Sequence, residues 1–581
     1  MDSFMQWVSA VNGVIWGPWT LYILLGAGIL FTIWTRFSQF KVMTHGIAVT
    51  RGVYDDPKDP GAINHFQALS AALSATIGLG NIGGVAVAIS LGGPGALFWM
   101  WVVGFLGMAL KTVEITLTMM FRNTDDPDDP HGGAMWVIER TLGRKEGAKG
   151  LARAIGVLFS VTLLIMTFAG GNMFQTWNVA DLTWTYFGIP KIVTGIVLAI
   201  VVGLVIIGGI KRIGRVAGKL VPVMCVLYLL AALAVLAVHI KELPGMLALI
   251  FHSAFNGTDA VGAFTGGGIG VAFQQGMKRA LFSNEAGLGS APIAHAAAKT
   301  NEPAREGIVG GMGPFIDTIC ICTLTALVII STGAWNRGPV GQMKGDVDMA
   351  VGEGGWTLQA PTAVDALPGL RVGESWESGG QVFFVVEVPV EGDVARKRQR
   401  VYGTLKADEK GYMKTIDWDE PPPNATFVRK ADGTLEKGVF RNYTGATLTG
   451  HAFDLAFPGL GKWLVTLAAW LFAISTMISW SYYGEQGMIY MLGKVSVLPY
   501  KFLYLILAVV GAFLIRTNRE LGDLQDLGTG GMLLANMIIV LSFGYLAVRC
   551  LDTYFKRLKS GEFHPHAKPS LIDVVDGTDV D

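Results

Sequence analysis

The stretch that most constrains this chain is Leu73 to Gly84, LSATIGLGNIGG, inside the apolar segment Phe66 to Leu91. That segment has the length of a transmembrane helix, about 20 residues. Its middle carries Gly78, Gly80, Gly83 and Gly84 around Asn81. In hydrocarbon, an unsatisfied backbone group is costly. Broken backbone is therefore tolerated only where it is buried in protein or lines a cavity. A glycine-broken apolar helix is thus a candidate binding site for a solute or ion. The other reading is that the glycines only let helices pack closely, as small residues do in membranes.

Composition sets the class. Of 581 residues, 51% are hydrophobic and 15% charged, against about 25% charged in a soluble domain. Repeated apolar runs make this an all-α polytopic membrane protein. The net charge is zero, and nothing points to nucleic acid. Cys225, Cys320, Cys322 and Cys550 fall in or beside apolar runs, and their spacing suits neither a zinc site nor a disulfide framework. The opening MDSFMQW lacks the basic n-region of a signal peptide, so the first apolar run is expected to be a retained helix.

About eleven spanning segments are expected, at 14–35, 66–91, 95–121, 152–181, 190–210, 215–239, 260–281, 306–333, 462–490, 498–516 and 530–552. One set of loops, with the C-terminal tail, holds about 25 Lys and Arg and the opposite short loops about 4. The basic set is expected to be cytoplasmic, placing the N-terminus outside and the C-terminus inside. Between about Asn336 and Asp454 the chain turns polar. Gln381 to Val390 and Arg400 to Leu405 have strand-like content, and Ala431-Asp432-Gly433 is a turn signal. A β-rich extracytoplasmic insertion is expected there, with room for a partner of its own.

Ala263 to Gly270, AFTGGGIG, reads as a second broken helix. With the first span set aside, ten divide into five and five, each half opening on a broken helix. Five is odd, so the halves are inverted, the arrangement of secondary transporters with a site near the midplane. Other polar residues fit this picture. Asn172 and Gln175 share a helical face, although they could instead serve interhelical hydrogen bonding. Ser475, Thr476 and Ser479 sit on one turn, with Trp480 beyond; hydroxyl and carbonyl oxygens suit a hard cation. Asp317 is an ionisable residue inside a span and so a functional candidate. Lys111 and Glu114, three apart, suit a mutual bridge, and Glu285 is expected at the cytoplasmic end as a cap or gate residue. No nucleophile–His–acid set or phosphate loop is apparent, so an enzyme is not expected.

Gly78-Leu79-Gly80-Asn81-Ile82, Leu91-Gly92-Gly93-Pro94-Gly95-Ala96, Gly171-Asn172-Met173-Phe174-Gln175 and Gly209-Ile210-Lys211-Arg212-Ile213 resemble the alanine or glycine:cation symporter family. So do NEAGLGSAP, from Asn284 to Pro292, and WSYYGE, from Trp480 to Glu485. The resemblance implies symport of a small neutral amino acid with sodium, or with a proton, on the leucine-transporter fold in a bacterial inner membrane, with no organic cofactor. It also implies roles. Ser74 and Ile77 would offer carbonyls to a sodium ion completed by Ser475 and Thr476. Thr76, Asn81 and Thr265 would form another ion site. Amides of Gly78, Leu79 and Gly80, with Thr76 beside them, would hold the substrate carboxylate, and carbonyls of Phe264, Gly266 and Gly267 the ammonium. Asn172 and Gln175 would face the substrate, and Trp480 would roof its pocket. Two departures stand out. The family usually reads GTGN where this chain has Leu79, and ordinary members lack the insertion.

The resulting division is an extra helix and loop at 1–65, a first five-helix repeat at 66–239, a second repeat over 260–335 and 455–552, the insertion at 336–454 and a tail at 553–581. The alternative function is a membrane receptor or sensor whose outer β domain binds a ligand or partner.

Overall fold

The computed structural model describes residues 2–259, 261–343, 349–352, 355–358, 380–389, 396–407, 413–429, 433–443, 445–513, 515, 518–565 and 569–578. Asn64 opens the first broken helix by accepting the N–H of Gln67 at 2.8 Å, a side-chain cap. The helix, α4 (His65–Thr76), then stops, and a π-helical turn (Gly80–Gly84) leads into α5 (Val85–Gly92). The two halves meet at 52°. Before them lie α1 (Asp2–Ile15), α2 (Pro18–Trp34) and α3 (Ser38–Thr50). The first two also form a bent pair, at 44°, broken where Pro18 can only begin a helix.

The chain continues through α6 (Gly95–Phe121), α7 (Ala134–Thr141), α8 (Lys149–Phe168), α9 (Phe174–Phe187), α10 (Lys191–Ile206), α11 (Gly209–Val238), α12 (Leu243–Asn256), α13 (Ile269–Asn284) and α14 (Ala291–His295). Next come α15 (Pro303–Gly311) and α16 (Thr323–Ser331), joined by a π segment at Phe315–Cys322. Beyond the insertion lie α17 (Ala446–Ala456), α18 (Gly461–Leu492), α19 (Val497–Phe513), α20 (Asn518–Lys559) and α21 (Leu571–Asp576). Among the described residues, seven helices are long and apolar enough to cross a membrane, and the two bent pairs raise that to nine. The other two expected spans, 190–210 and 260–281, correspond to the shorter α10 and α13.

The insertion contains strands β1 (Gly341–Gln342), β2 (Met349–Gly352), β3 (Gly355–Leu358), β4 (Gln381–Pro389), β5 (Arg396–Ala407), β6 (Met413–Trp418), β7 (Thr426–Phe427) and β8 (Gly438–Arg441). One sheet runs β1-β8-β4-β5-β6, with β7 also on β4. Both expected strands are present and pair antiparallel, Val382 opposite Gly403 and Phe384 opposite Val401; Val390, Ala431 and Asp432 lie outside the described residues. Alternation along β4 gives two buried faces. Val382, Phe384 and Val386 pack on Val401, Leu405 and Ile416, while Phe383 and Val385 pack with Phe440 and Ala263. The second face therefore rests on the chain just before α13. Arg400 fixes that contact, donating to the carbonyls of Ala263 (3.0 Å) and Ser90 (3.3 Å).

Candidate functional site

An α-helical carbonyl is normally met by the N–H four residues on. At the first break this fails twice. Gly78 N–H, the expected partner of Ser74 O, turns to Asn81 Oδ1 at 2.9 Å. Asn81 N–H, the expected partner of Ile77 O, turns to Gly78 O at 3.1 Å. The carbonyls of Ser74 and Ile77 are thereby released from their helical partners, and Ile77 itself is non-helical (φ −79°, ψ 90°). Glycine is required at 78, because a methyl there would lie 2.7 Å from Thr476 Oγ1. At Gly80 a methyl would meet nothing within 4 Å, so the backbone faces open space at the start of the second half-helix. Leu79 and Gly80 begin that half, where helical N–H groups lack internal partners and favour negative charge.

Helix α18 supplies the facing oxygens. Ser74 Oγ donates to Ser475 O at 2.7 Å, and Ser475 Oγ reaches Phe472 O at 2.9 Å and Ser74 O at 3.4 Å. Thr476 Oγ1 is buried without a hydrogen-bond partner. A buried unpaired hydroxyl costs about 1–3 kcal/mol, and here it points at the break in α4. Two released carbonyls, two hydroxyls and no charge make a donor set suited to a small hard monovalent cation.

The second break is elsewhere than the sequence suggests. Residues 257–259 and 261–268 are irregular and bridged at Thr258 and Gly267, before α13 begins. Phe264 packs edge-on to Trp335 at 5.1 Å, and Gly267 abuts the carbonyl of Gly92. Gly92 is about 18 Å along the second half-helix from Gly80, at ~1.5 Å per residue. Phe264, Thr265, Gly266 and Gly267 therefore lie by the C-terminal end of α5, and the structure does not bring them to Thr76 or Asn81. Their glycines serve close backbone approach: a methyl on Gly262 would lie 2.2 Å from Asn336 O, and Gly266 has φ +89°.

The helix break that faces Asn81 is Glu285 to Ser290, between α13 and α14. Gly287 and Gly289 adopt φ +87° and +82°. Glu285 is buried; it stands at the C-terminal cap of α13 and accepts from Ser290 Oγ at 2.6 Å. Just before the break, Ser283 donates to Asp317 at 2.5 Å, and Asn81 donates to both Ser283 (3.1 Å) and Asp317. Asp317 thus joins the first break to the second. Lys111 and Glu114 do not bridge each other. Lys111 Nζ donates to Asn284 O at 2.8 Å, while Glu114 accepts from the N–H groups of Gly287 and Gly289.

With this geometry in place, comparison with known proteins is decisive. The sodium:alanine symporter family model matches residues 1–353 and 426–568. The chain belongs to the sodium:alanine symporter family. It is 35% identical to a sodium/alanine symporter of Methanococcus maripaludis, over 92% of this chain and 94% of that one. A putative sodium/proton-dependent alanine carrier of Bacillus subtilis is 30% identical over 96% of this chain and 93% of its own length. An uncharacterized transporter of Haemophilus influenzae is 31% identical over 96% and 97%. The protein is therefore a transporter and not an enzyme. The family match is interrupted at 354–425, within the sheet that rests on Ala263.

In this symporter a third π-helical turn, Ala169–Met173, interrupts α8 and α9, and such turns cluster at functional sites. Asn172 Nδ2 donates to Tyr504 O and Gln175 Nε2 to Gly170 O, leaving Asn172 Oδ1 and Gln175 Oε1 buried without partners. Trp480 lies directly on this turn, where a methyl on Gly171 would approach its Cβ to 2.5 Å. Trp480 thus joins Asn172 and Gln175 at the turn, one helical turn from Thr476. Thr76, by contrast, spends its hydroxyl on its own helix, at Leu73 O. Sequence reasoning missed Ser283 and the contacts of Glu114. The signal for both was the glycine pair in NEAGLGSAP, which falls after the expected span 260–281 and so does not read as a helix break.

Proposed function

We propose that this symporter carries a small neutral amino acid such as alanine or glycine, with one sodium ion, by alternating access around the break at Ile77 to Gly80. The observation that carries this reading is the orphaned Thr476 hydroxyl abutting Gly78, at the break that releases the Ser74 and Ile77 carbonyls. Sodium is co-transported substrate here. Ser74, Ile77, Ser475 and Thr476 hold it, and the amides of Leu79 and Gly80 bind the carboxylate beside it at the half-helix end. Gly78 N–H already belongs to Asn81, so its part is to free Ser74 O. Asn172 and Gln175 line the opposite wall, and Trp480 limits side-chain size.

The eleven helical segments form one extra N-terminal span and two inverted sets of five, with the N-terminus outside and the C-terminus cytoplasmic. The halves begin at the two breaks, 77–80 and 285–290. Each half-helix pair rocks against α8–α9 and α18 to expose the site to one side at a time. Purified protein in liposomes should accumulate alanine or glycine only with an inward sodium gradient. Absence of gradient-dependent uptake of any small amino acid would sink this reading.

The Arg400 contacts favour testing a sensor role for the insertion as well. Arg400 grips the outer ends of α5 and of the segment before α13. If the insertion is accessory, Arg400→Ala should leave the initial uptake rate within about twofold, since each lost hydrogen bond is worth only ~1 kcal/mol. Complete loss of uptake in a folded Arg400→Ala protein would favour the receptor reading.

A further inference from the structure

At the inner ends of the two broken helices lies a buried cluster the transport site does not use. Glu306, on α15, offers one carboxylate oxygen to His65 Nδ1 and the other to His295 Nδ1. His65 is the first residue of α4 and His295 the last of α14. All three are at most 1% exposed. One glutamate therefore ties together the inner halves of both breaks. The backbone reinforces the tie: Ala62 N–H donates to Ala297 O and Lys299 N–H to Ile63 O, each at 2.8 Å.

The far side of each ring is the informative part. His65 Nε2 and His295 Nε2 are buried with no hydrogen-bond partner. His65 Nε2 faces the Asp55 carboxylate at 3.6 Å, and Asp55 Oδ1 is also unpartnered. A neutral ring donating from Nδ1 would aim a lone pair at that carboxylate. A proton on Nε2 turns repulsion into attraction. The surrounding charges are Asp55 and Asp59 before α4, Arg122 ending α6, and Arg305 beside Glu306. Arg122 is occupied by the carbonyls of Pro60, Ala296, Ala298 and Thr300, and Arg305 by Tyr54 O. From α3, His45 pairs with Tyr554 of α20; from α18, Glu485 pairs with Lys501; Lys219 and Asp576 pair between α11 and α21.

We propose that His65, Glu306 and His295 form a proton-operated latch on the inner gate, closed while His65 is protonated and released when that proton leaves for the cytoplasm. In the release step the His65 Nε2–H bond breaks, its electron pair stays on nitrogen, and water or buffer base takes the proton. This rests on the alternating-access reading, which requires the inner half-helices to part.

Hydrogen exchange of the segments 62–72 and 291–299 tests it, in full-length protein without sodium, corrected for intrinsic exchange rates. Wild type should lose protection about tenfold between about pH 6 and pH 9, a window that reaches above the usual imidazole range because the Glu306 and Asp55 carboxylates hold the proton on His65. The double variant His65→Gln/His295→Gln keeps donors toward Glu306 but cannot titrate. It should bind alanine with sodium, which reports folding, and show equal protection at both pH values. A wild-type change below about twofold, or an undiminished change in the double variant, overturns the latch. Should the double variant not fold, Glu306→Gln is the second test: fast exchange at both pH values supports the latch, and wild-type behaviour overturns it. A pH response in exchange without any amino-acid uptake would leave the latch standing and remove the transport reading.

Discussion

Thr476→Val is expected to raise the sodium concentration for half-maximal uptake by about tenfold or more, the equivalent of one lost charge-assisted contact of roughly 1.5–3 kcal/mol. Valine keeps the shape of threonine and removes only Oγ1, which no protein group uses. The same change should therefore leave thermal stability unharmed, and without sodium it should raise it, because an unpaired buried hydroxyl is deleted. These two effects in opposite directions separate ion binding from structural support. Sodium titration of uptake and sodium-free thermal unfolding of the same sample would check both. An unchanged sodium response would remove Thr476 from the ion site, and a large loss of stability would mean that the hydroxyl supports the fold.

Much of this site was legible because physics leaves few uses for its sequence. LSATIGLGNIGG inside an apolar run must break where backbone groups can be used, and it does, with Asn81 turning back on Gly78. Ser475 and Thr476 were legible as a hydroxyl turn, and α18 brings both to that break. The second break was not legible in the same way. Three consecutive glycines at 266–268 form a stronger local signal than Gly287 and Gly289, yet they lie before α13 begins, where Gly267 closely approaches the carbonyl of Gly92. Periodicity cannot tell a mid-membrane break from a tight outer loop when both are apolar. The partners of Lys111 and Glu114 were equally hidden. Three-residue spacing makes a mutual pair plausible on one helix, whereas their actual partners are more than 170 positions away in sequence. The β strands were readable because β-branched and aromatic content needs no long-range information.

Glu114→Ala should be the most destabilising single change in the membrane core. Its carboxylate accepts three donors: Gly287 N–H at 3.1 Å, Gly289 N–H at 2.6 Å and Asn536 Nδ2 at 2.6 Å. Asn536 also donates to Gly287 O at 2.8 Å, so α20 and α6 jointly hold the second break in its left-handed backbone shape. Alanine would strand all three donors and take one of three nearby carboxylates from the buried Lys111, leaving Glu285 and Asp317. Breaking a buried charged arrangement from one side typically costs about 3–5 kcal/mol. Glu114→Gln keeps one accepting oxygen and the side-chain volume, so its loss should be clearly smaller. Lys111→Met, in the Glu114→Ala background, should return part of the stability by removing a buried cation that has lost one of its carboxylate neighbours. The coupling energy from that cycle measures the charge interaction directly. Thermal unfolding of the four proteins in detergent supplies the numbers, and hydrogen exchange at 285–290 locates the damage. If Glu114→Ala unfolds within a degree or two of wild type, the second break is held by something other than this carboxylate. Asp317, through Ser283 and Asn81, and Glu306, through His65 and His295, would still tether the two breaks.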